Sequence, residues 1–184
     1  MVGKLILVVG PSGAGKDSLM AGAQQALAED AGFHFARRVV TRPAQPGAED
    51  HMSLDAASFV DQAAQGAFLL HWQAHGLHYG VLAEVAALRA AGTAVVVNVS
   101  RAVIDHARQH LAPVGVVVVT APPELLAQRL AGRGRENVDD IRRRLIRATA
   151  ELPTGPDVRL VVNDGDLDQG IAAFRSALAD LAGG

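Results

Sequence analysis

A chain of 184 residues with 17 Lys+Arg against 19 Asp+Glu, formal net charge −2, can bury one sizeable core and is too nearly neutral to bind polyanions over its whole surface. With 49% hydrophobic and 20% charged residues it is not a disordered composition, and the lack of cysteine excludes disulfides, thiolate metal sites and cysteine nucleophiles. No apolar run approaches the roughly 18–20 residues that cross a bilayer, so a cytoplasmic protein free of membrane and nucleic acid is expected.

The first element is the aliphatic run Leu5–Val9, which reads as a strand buried on both faces; it ends too soon, in a glycine loop, to be a leader peptide. The loop Gly10-Pro11-Ser12-Gly13-Ala14-Gly15-Lys16 follows directly, and a helical pattern runs from about Asp17 to Ala28. From about 33 to 80 the rhythm breaks. This stretch holds the turn-rich Thr41-Arg42-Pro43-Ala44-Gln45-Pro46-Gly47, a short helix near Asp55–Gln65 and the polar-aromatic segment His71–Gly80, and it reads as an insertion. Two further buried runs, Ala94–Val99 and Val114–Thr120, flank a helical stretch from about Arg101 to Leu111. A shorter run, Arg159–Val162, precedes a last helix over about Leu167–Leu181. Strands alternating with helices predict an α/β fold with a parallel sheet flanked by helices and right-handed crossovers. One domain over 1–184 is expected: a core of about 1–32 and 81–184, the insertion at about 33–80 and an arginine-rich lid at about 129–147.

Gly10 to Lys16 satisfies G-x-x-x-x-G-K in the strand–loop–helix setting that phosphate binding requires. Its glycines let backbone N–H groups converge on an anion, and the following helix adds the positive end of its dipole. Lys16 is one of only two lysines among 17 basic residues and is expected at the β- and γ-phosphates of ATP. The usual Ser or Thr after the lysine is Asp17 here, followed by Ser18. A carboxylate is a hard-oxygen ligand, so Asp17 is expected at Mg²⁺, directly or through water.

Seven arginines lie between 129 and 147: Arg129, Arg133, Arg135, Arg142, Arg143, Arg144 and Arg147. Guanidinium forks bind phosphate oxygens bidentately, and a glycine-punctuated loop such as Gly132-Arg133-Gly134-Arg135 can bring them over a triphosphate and exclude water. Arg133, Arg135 and Arg144 are the expected catalytic cations beside Lys16, with Arg129 among the ATP-binding residues. Arg142, Arg143 and Arg147 serve equally well as a solvated face. His71, His75 and His78 form no metal motif, because their spacing crosses Gly76.

The phosphate loop, Thr41-Arg42 with Gly47 and Glu49, Gly76-Leu77-His78-Tyr79-Gly80, Arg133-Gly134 with Arg144-Leu145, and Val162-Asn163-Asp164 fall in an order and spacing that resembles the guanylate kinase superfamily along essentially the whole chain. The resemblance implies a P-loop kinase core, an acceptor-binding insertion and a closing lid. The departures matter as much. Where that superfamily has a guanine-binding glutamate this chain has Leu70, and its usual aspartates are Asn98 and Ser100. Its second phosphate-binding arginine is Gln45 and its phosphate-binding tyrosine is His51. A site that fails to pair a purine edge is heavily penalised, so guanine is a poor acceptor.

Asp17 with Ser18, Glu49, His51, Trp72 and the run Val97-Asn98-Val99-Ser100-Arg101-Ala102 together resemble the ribose 1,5-bisphosphate phosphokinase branch of that superfamily. The branch implies transfer of the γ-phosphoryl group of ATP to ribose 1,5-bisphosphate, giving 5-phosphoribosyl 1-diphosphate (PRPP) and ADP, in bacteria within phosphonate catabolism. Carried over residue by residue, it places Arg42, His51 and Tyr79 at acceptor phosphate oxygens, Glu49 on Arg42 or the sugar, and Asn163 at adenine. Asn98, Ser100 and Arg101 stand at the carboxyl end of a buried strand, where open α/β sheets bind ligands, and Arg101 suits a second phosphate. Partners are then a sugar phosphate and ATP, with the chain a monomer or homodimer. A nucleoside monophosphate kinase and a non-catalytic module of the same fold are the competing readings; the second is disfavoured by the presence of Lys16 and the lid arginines.

Overall fold

The computed structural model describes residues 1–43, 50–131 and 152–183. In chain order its elements begin β1 (Leu5–Val9), α1 (Lys16–Ala26), β2 (Phe33–Phe35), β3 (Arg38–Val40), β4 (His51–Ser53), α2 (Ala56–Ala64), β5 (Phe68–Ala74) and β6 (Leu77–Leu82). They continue with α3 (Val85–Ala90), β7 (Ala94–Asn98), α4 (Ile104–His110), β8 (Val114–Thr120), α5 (Pro123–Ala131), β9 (Val158–Val162) and α6 (Leu167–Gly183). No helix among the described residues is long and apolar enough to cross a membrane.

Two sheets result. The larger runs β2-β7-β1-β8-β9, with β2 parallel to β7 and β8 parallel to β9; the smaller runs β4-β3-β6-β5. The residues fall into two compact units, Met1–Leu7 with Glu29–Val114, and Val8–Ala28 with Gly115–Gly184, the division passing through β1. The aliphatic runs become the strands they predict, because β1 and β7 are buried along their whole length and so lack the alternation of a half-exposed strand.

In the first unit, the stretch expected to be mainly loop and one helix is largely strand. β5 and β6 form an antiparallel hairpin in which Ala74 faces Leu77 across the two-residue turn His75-Gly76. Both turn residues have positive φ, 51° and 74°, as a type I′ turn requires. β3 pairs antiparallel with β6 and parallel with β4. Val39, Phe59 and Phe68 make the local core, the two phenyl rings stacking at 4.5 Å. Gly80 makes room for it, since a Cβ there would lie 2.6 Å from the Phe68 ring. Buried Arg89 on α3 ties the unit's base together, donating to the carbonyls of Gly3 (3.0 Å), Leu111 (2.6 Å) and Pro113 (3.1 Å). The helix expected from Arg101 starts instead as a 3₁₀ turn, Arg101–Val103, because the Ser100 hydroxyl accepts the Ala102 N–H and tightens the first turn.

In the second unit, α6 buries Phe174, Leu178 and Leu181 and packs on α1, where Gly22 admits the Ile171 side chain. β9 alternates, with Val161 buried while Leu160 and Val162 are exposed, as an edge strand does.

Candidate functional site

Within the second unit, β1 delivers the chain into the loop Gly10 to Lys16 and α1 leaves it. Gly10, Gly13 and Gly15 all have positive φ, at 150°, 84° and 88°. Gly10 must also lack a side chain, because a Cβ would meet the Val119 carbonyl oxygen of β8. The loop's carbonyls are turned toward protein donors. Lys16 Nζ donates to Gly10 O (2.8 Å) and Pro11 O (3.1 Å), Arg129 Nη1 donates to Gly13 O (3.4 Å), and Asn163 Nδ2 donates to Ala14 O (2.8 Å). A backbone whose acceptors are committed on one side presents its N–H dipoles on the other, which is how such a loop holds phosphate oxygens.

The structure therefore brings Gly10, Pro11, Ser12, Gly13, Ala14, Gly15, Lys16, Arg129 and Asn163 together in one unit. Asp17 and Ser18 follow in the first turn of α1 with both side chains exposed. An exposed carboxylate and hydroxyl beside the loop are hard-oxygen donors of the kind Mg²⁺ takes, so the residues fit that ion. Asn163 is buried and its amide is engaged by the loop itself.

Within the first unit, Arg42 follows β3, and its carbonyl is pinned by two groups of β4: Ser53 Oγ at 2.9 Å and His51 Nε2 at 3.1 Å. His51 is buried, and against a carbonyl oxygen its Nε2 acts as the donor. The Arg42 Nε is buried without a hydrogen-bond partner among the described residues. An unsatisfied buried guanidinium nitrogen is costly, and such a group reads as one kept for an anion. Thr41 fixes the same corner to β6: its N–H donates to His78 O (3.1 Å), and its hydroxyl accepts the His78 N–H (2.9 Å).

Tyr79, on β6, stacks against Trp72 of β5, ring centroids 5.4 Å apart and planes 7° from parallel, while the Arg38 guanidinium lies 5.2 Å from the Tyr79 centroid. Trp72 is buried and Arg38 half-buried. Asn98 closes β7 and is buried; Ser100 caps the 3₁₀ turn, and Arg101 begins it, in a turn that packs against β5. Leu70 is 3% exposed, so an apolar side chain fills the place where a base-recognising carboxylate is expected in guanylate kinases. Sequence reasoning missed Arg38, Thr41 as an anchor, and Trp72 as the support of Tyr79. The alternation of Arg37 and Arg38 was the available signal: Arg37 faces outward to Asp50 (2.7 Å), Arg38 inward to Tyr79. Glu49, Arg133, Arg135 and Arg144 lie outside the described residues, as do Arg142, Arg143 and Arg147 of the expected lid.

A glycine loop between a buried strand and a helix, in an α/β fold with a flanked parallel sheet, defines the class of P-loop proteins. Within it, this chain belongs to the guanylate kinase family, whose model matches residues 2–181. It is 46% identical over 180 residues to the ribose 1,5-bisphosphate phosphokinase PhnN of Brucella melitensis, covering 98% of this chain and 94% of that protein. The protein of the same name from a Ruegeria species is 46% identical over 177 residues, covering 96% and 92%. Among solved structures, a guanylate kinase from Anaplasma phagocytophilum superposes with a TM-score of 0.69 at 17% identity, covering 97% of this chain and 86% of that one; this likeness shows the shared fold.

Proposed function

We propose that this chain is a ribose 1,5-bisphosphate phosphokinase, transferring the γ-phosphoryl group of ATP to the 1-phosphate of α-D-ribose 1,5-bisphosphate to give 5-phospho-α-D-ribose 1-diphosphate and ADP. The observation that carries it is a complete phosphate loop in a chain whose acceptor-side residues offer cations but lack the base-recognising acids, as at Leu70. Near full-length identity to relatives of that name supports it.

The acceptor is a phosphate monoester with a second pKa near 6, so at neutral pH it is largely a dianion and needs no general base. One of its oxygens forms the new bond to the γ-phosphorus as the bond from that phosphorus to the β–γ bridging oxygen breaks, and ADP leaves with the electron pair. The protein's task is positioning and charge neutralisation. Lys16 and the loop N–H groups hold the donor phosphates, joined by Arg129 and by Arg133, Arg135 and Arg144 as catalytic cations. Arg42 and Tyr79 take the 1-phosphate, with His51 setting the Arg42 corner and Glu49 orienting Arg42 or the sugar. Asn98, Ser100 and Arg101 face the sugar and its 5-phosphate. Asp17 would hold Mg²⁺, directly or through water. When bound, that ion supplies further neutralisation of phosphate charge.

This reading treats 1–184 as one catalytic domain with an acceptor-binding insertion at about 33–80 and a lid at about 129–147. It acts in the cytoplasm on small molecules in phosphonate catabolism, as monomer or homodimer, and not on nucleic acid or membrane. A coupled ADP-release assay tests it: turnover with ribose 1,5-bisphosphate and little with GMP is expected. Robust turnover of GMP alone would make the chain a nucleoside monophosphate kinase, and turnover of neither a non-catalytic module.

A further inference from the structure

We infer that Asn163 is a positioning residue of the phosphate loop: its buried amide holds the Ala14 carbonyl and so aims the Gly15 N–H at the triphosphate, whichever base the nucleotide carries. The inference rests on the nucleotide half of the proposed function and is independent of its acceptor. It gives Asn163 a task different from the adenine contact that family resemblance suggests.

Asn163 directly follows β9 and is 6% exposed. Its own N–H donates to Thr120 O at 2.7 Å, which carries the β8–β9 pairing one residue past Thr120 and Val162. The residue is therefore fixed by the sheet before its side chain acts. That side chain donates from Nδ2 to Ala14 O at 2.8 Å, and Ala14 is fully buried. In a trans peptide the C=O and the next N–H point in opposite directions. Anchoring Ala14 O on Asn163 thus turns the Gly15 N–H away from Asn163, to the side of the loop that faces an anion.

Two glycines make room for this amide. A Cβ on Gly15 would run into Nδ2, and a Cβ on Gly170 would lie 2.9 Å from Oδ1 and from Leu19 Cδ2. Gly15 is already required by its φ of 88°. Gly170 is not: it is helical, in α6, where glycine is a poorer helix former than alanine, and the space it leaves is shared by the Asn163 amide and the Leu19 side chain of α1. An adenine-binding role would not need the amide walled in on both sides.

Calorimetric titration with two probes, ATP and inorganic tripolyphosphate, in the presence of Mg²⁺, tests this on the intact chain. For Asn163→Ala the Kd is expected to rise for both probes by the same factor, about fivefold to tenfold, the loss of one buried hydrogen bond. Asn163→Asp, which sets an acceptor against Ala14 O, is expected to bind no better than the alanine variant. Gly170→Ala, which keeps the amide but crowds both it and Leu19, is expected to weaken both probes in the same direction, and the near-isosteric Asn163→Asp decides the matter if Asn163→Ala does not fold. A loss with ATP alone would assign Asn163 to the base and overturn the inference. So would unchanged Kd in folded variants, or a lowered Tm and binding stoichiometry with Kd intact. Wild-type protein that binds tripolyphosphate but does not phosphorylate ribose 1,5-bisphosphate would sink the acceptor reading and leave this one standing; wild-type protein that binds neither probe would sink both.

Discussion

The phosphate loop and the acceptor-side sheet are held by opposite means. In the loop, backbone geometry decides: three glycines at positive φ set the path, and Lys16, Arg129 and Asn163 hold it through its carbonyls. On the β4-β3-β6-β5 sheet, side chains decide: His51 and Ser53 pin the Arg42 corner, while Trp72 and Arg38 support Tyr79. A backbone-built anion site reads any phosphate, and its path is written in a few adjacent residues although Arg129 and Asn163 brace it from far along the chain. A side-chain-built site reads one ligand's shape and charge, and it is assembled from residues some forty positions apart. Under the proposed function the first half serves a donor common to many enzymes, the second an acceptor peculiar to this one.

The largest expected effect strikes the loop. Lys16→Ala removes the cation at its head and is expected to lower kcat by at least about a thousandfold, because charge stabilisation of the transferring group is most of the catalysis here. ADP release in the coupled assay measures it; a rate near wild type would take the loop out of the mechanism. Arg42→Ala comes next. It is expected to lower kcat/KM for the sugar bisphosphate by about a hundredfold, the scale of a lost charged hydrogen-bonding partner, with the KM for ATP unchanged. A rise in both KM values would break the division into two separately built halves.

The unequal legibility of the two halves has the same origin. β1, β7 and β8 are aliphatic runs because they are buried on both faces, so composition alone marks them, and the loop motif is contiguous. β2, β3 and β4 are three residues each, too short for an alternation to register. β5 and β6 carry His, Trp and Tyr on faces whose partners lie on other strands. The pairing of Arg42 with His51 or of Tyr79 with Trp72 exists only once the sheet forms. Family resemblance named Arg42, His51 and Tyr79; it did not reveal that His51 acts on a main-chain carbonyl, nor that Arg38 lies over the tyrosine ring.

Trp72→Leu sharpens the comparison by removing a support while leaving an apolar side chain in place. The stack on Tyr79 is worth about 1 kcal/mol beyond burial, so the KM for the sugar bisphosphate is expected to rise about fivefold and the Tm to fall. The KM for ATP is expected to stay put. Restoring an aromatic with Trp72→Phe should recover most of the acceptor affinity, which a general loosening of the sheet would not allow.

The smallest effect belongs to Asp55, which caps α2 two residues after β4 and contacts none of the proposed substrate-binding side chains through its two carboxylate bonds. Its Oδ1 accepts the Ser58 N–H at 2.9 Å and its Oδ2 accepts the Ser58 hydroxyl at 2.6 Å. These bonds, the hydroxyl's first, hold the carboxyl below its ordinary value of 3.8. A folded-state pKa below the unfolded one means that the ionised cap contributes fully above that ordinary value and fades as the pH falls through the lower, folded value. Asp55→Ala is therefore expected to lower the Tm slightly at neutral pH, with the gap to wild type closing below pH 3.8 in thermal unfolding scans. Asp55→Asn keeps an acceptor for the helix and should remove the pH dependence. Both kinetic constants are expected to hold in either variant. A shift in the acceptor KM would show that α2 transmits strain to Arg42 and Tyr79, and the side-chain-built half would then extend through the Phe59 core to its helix.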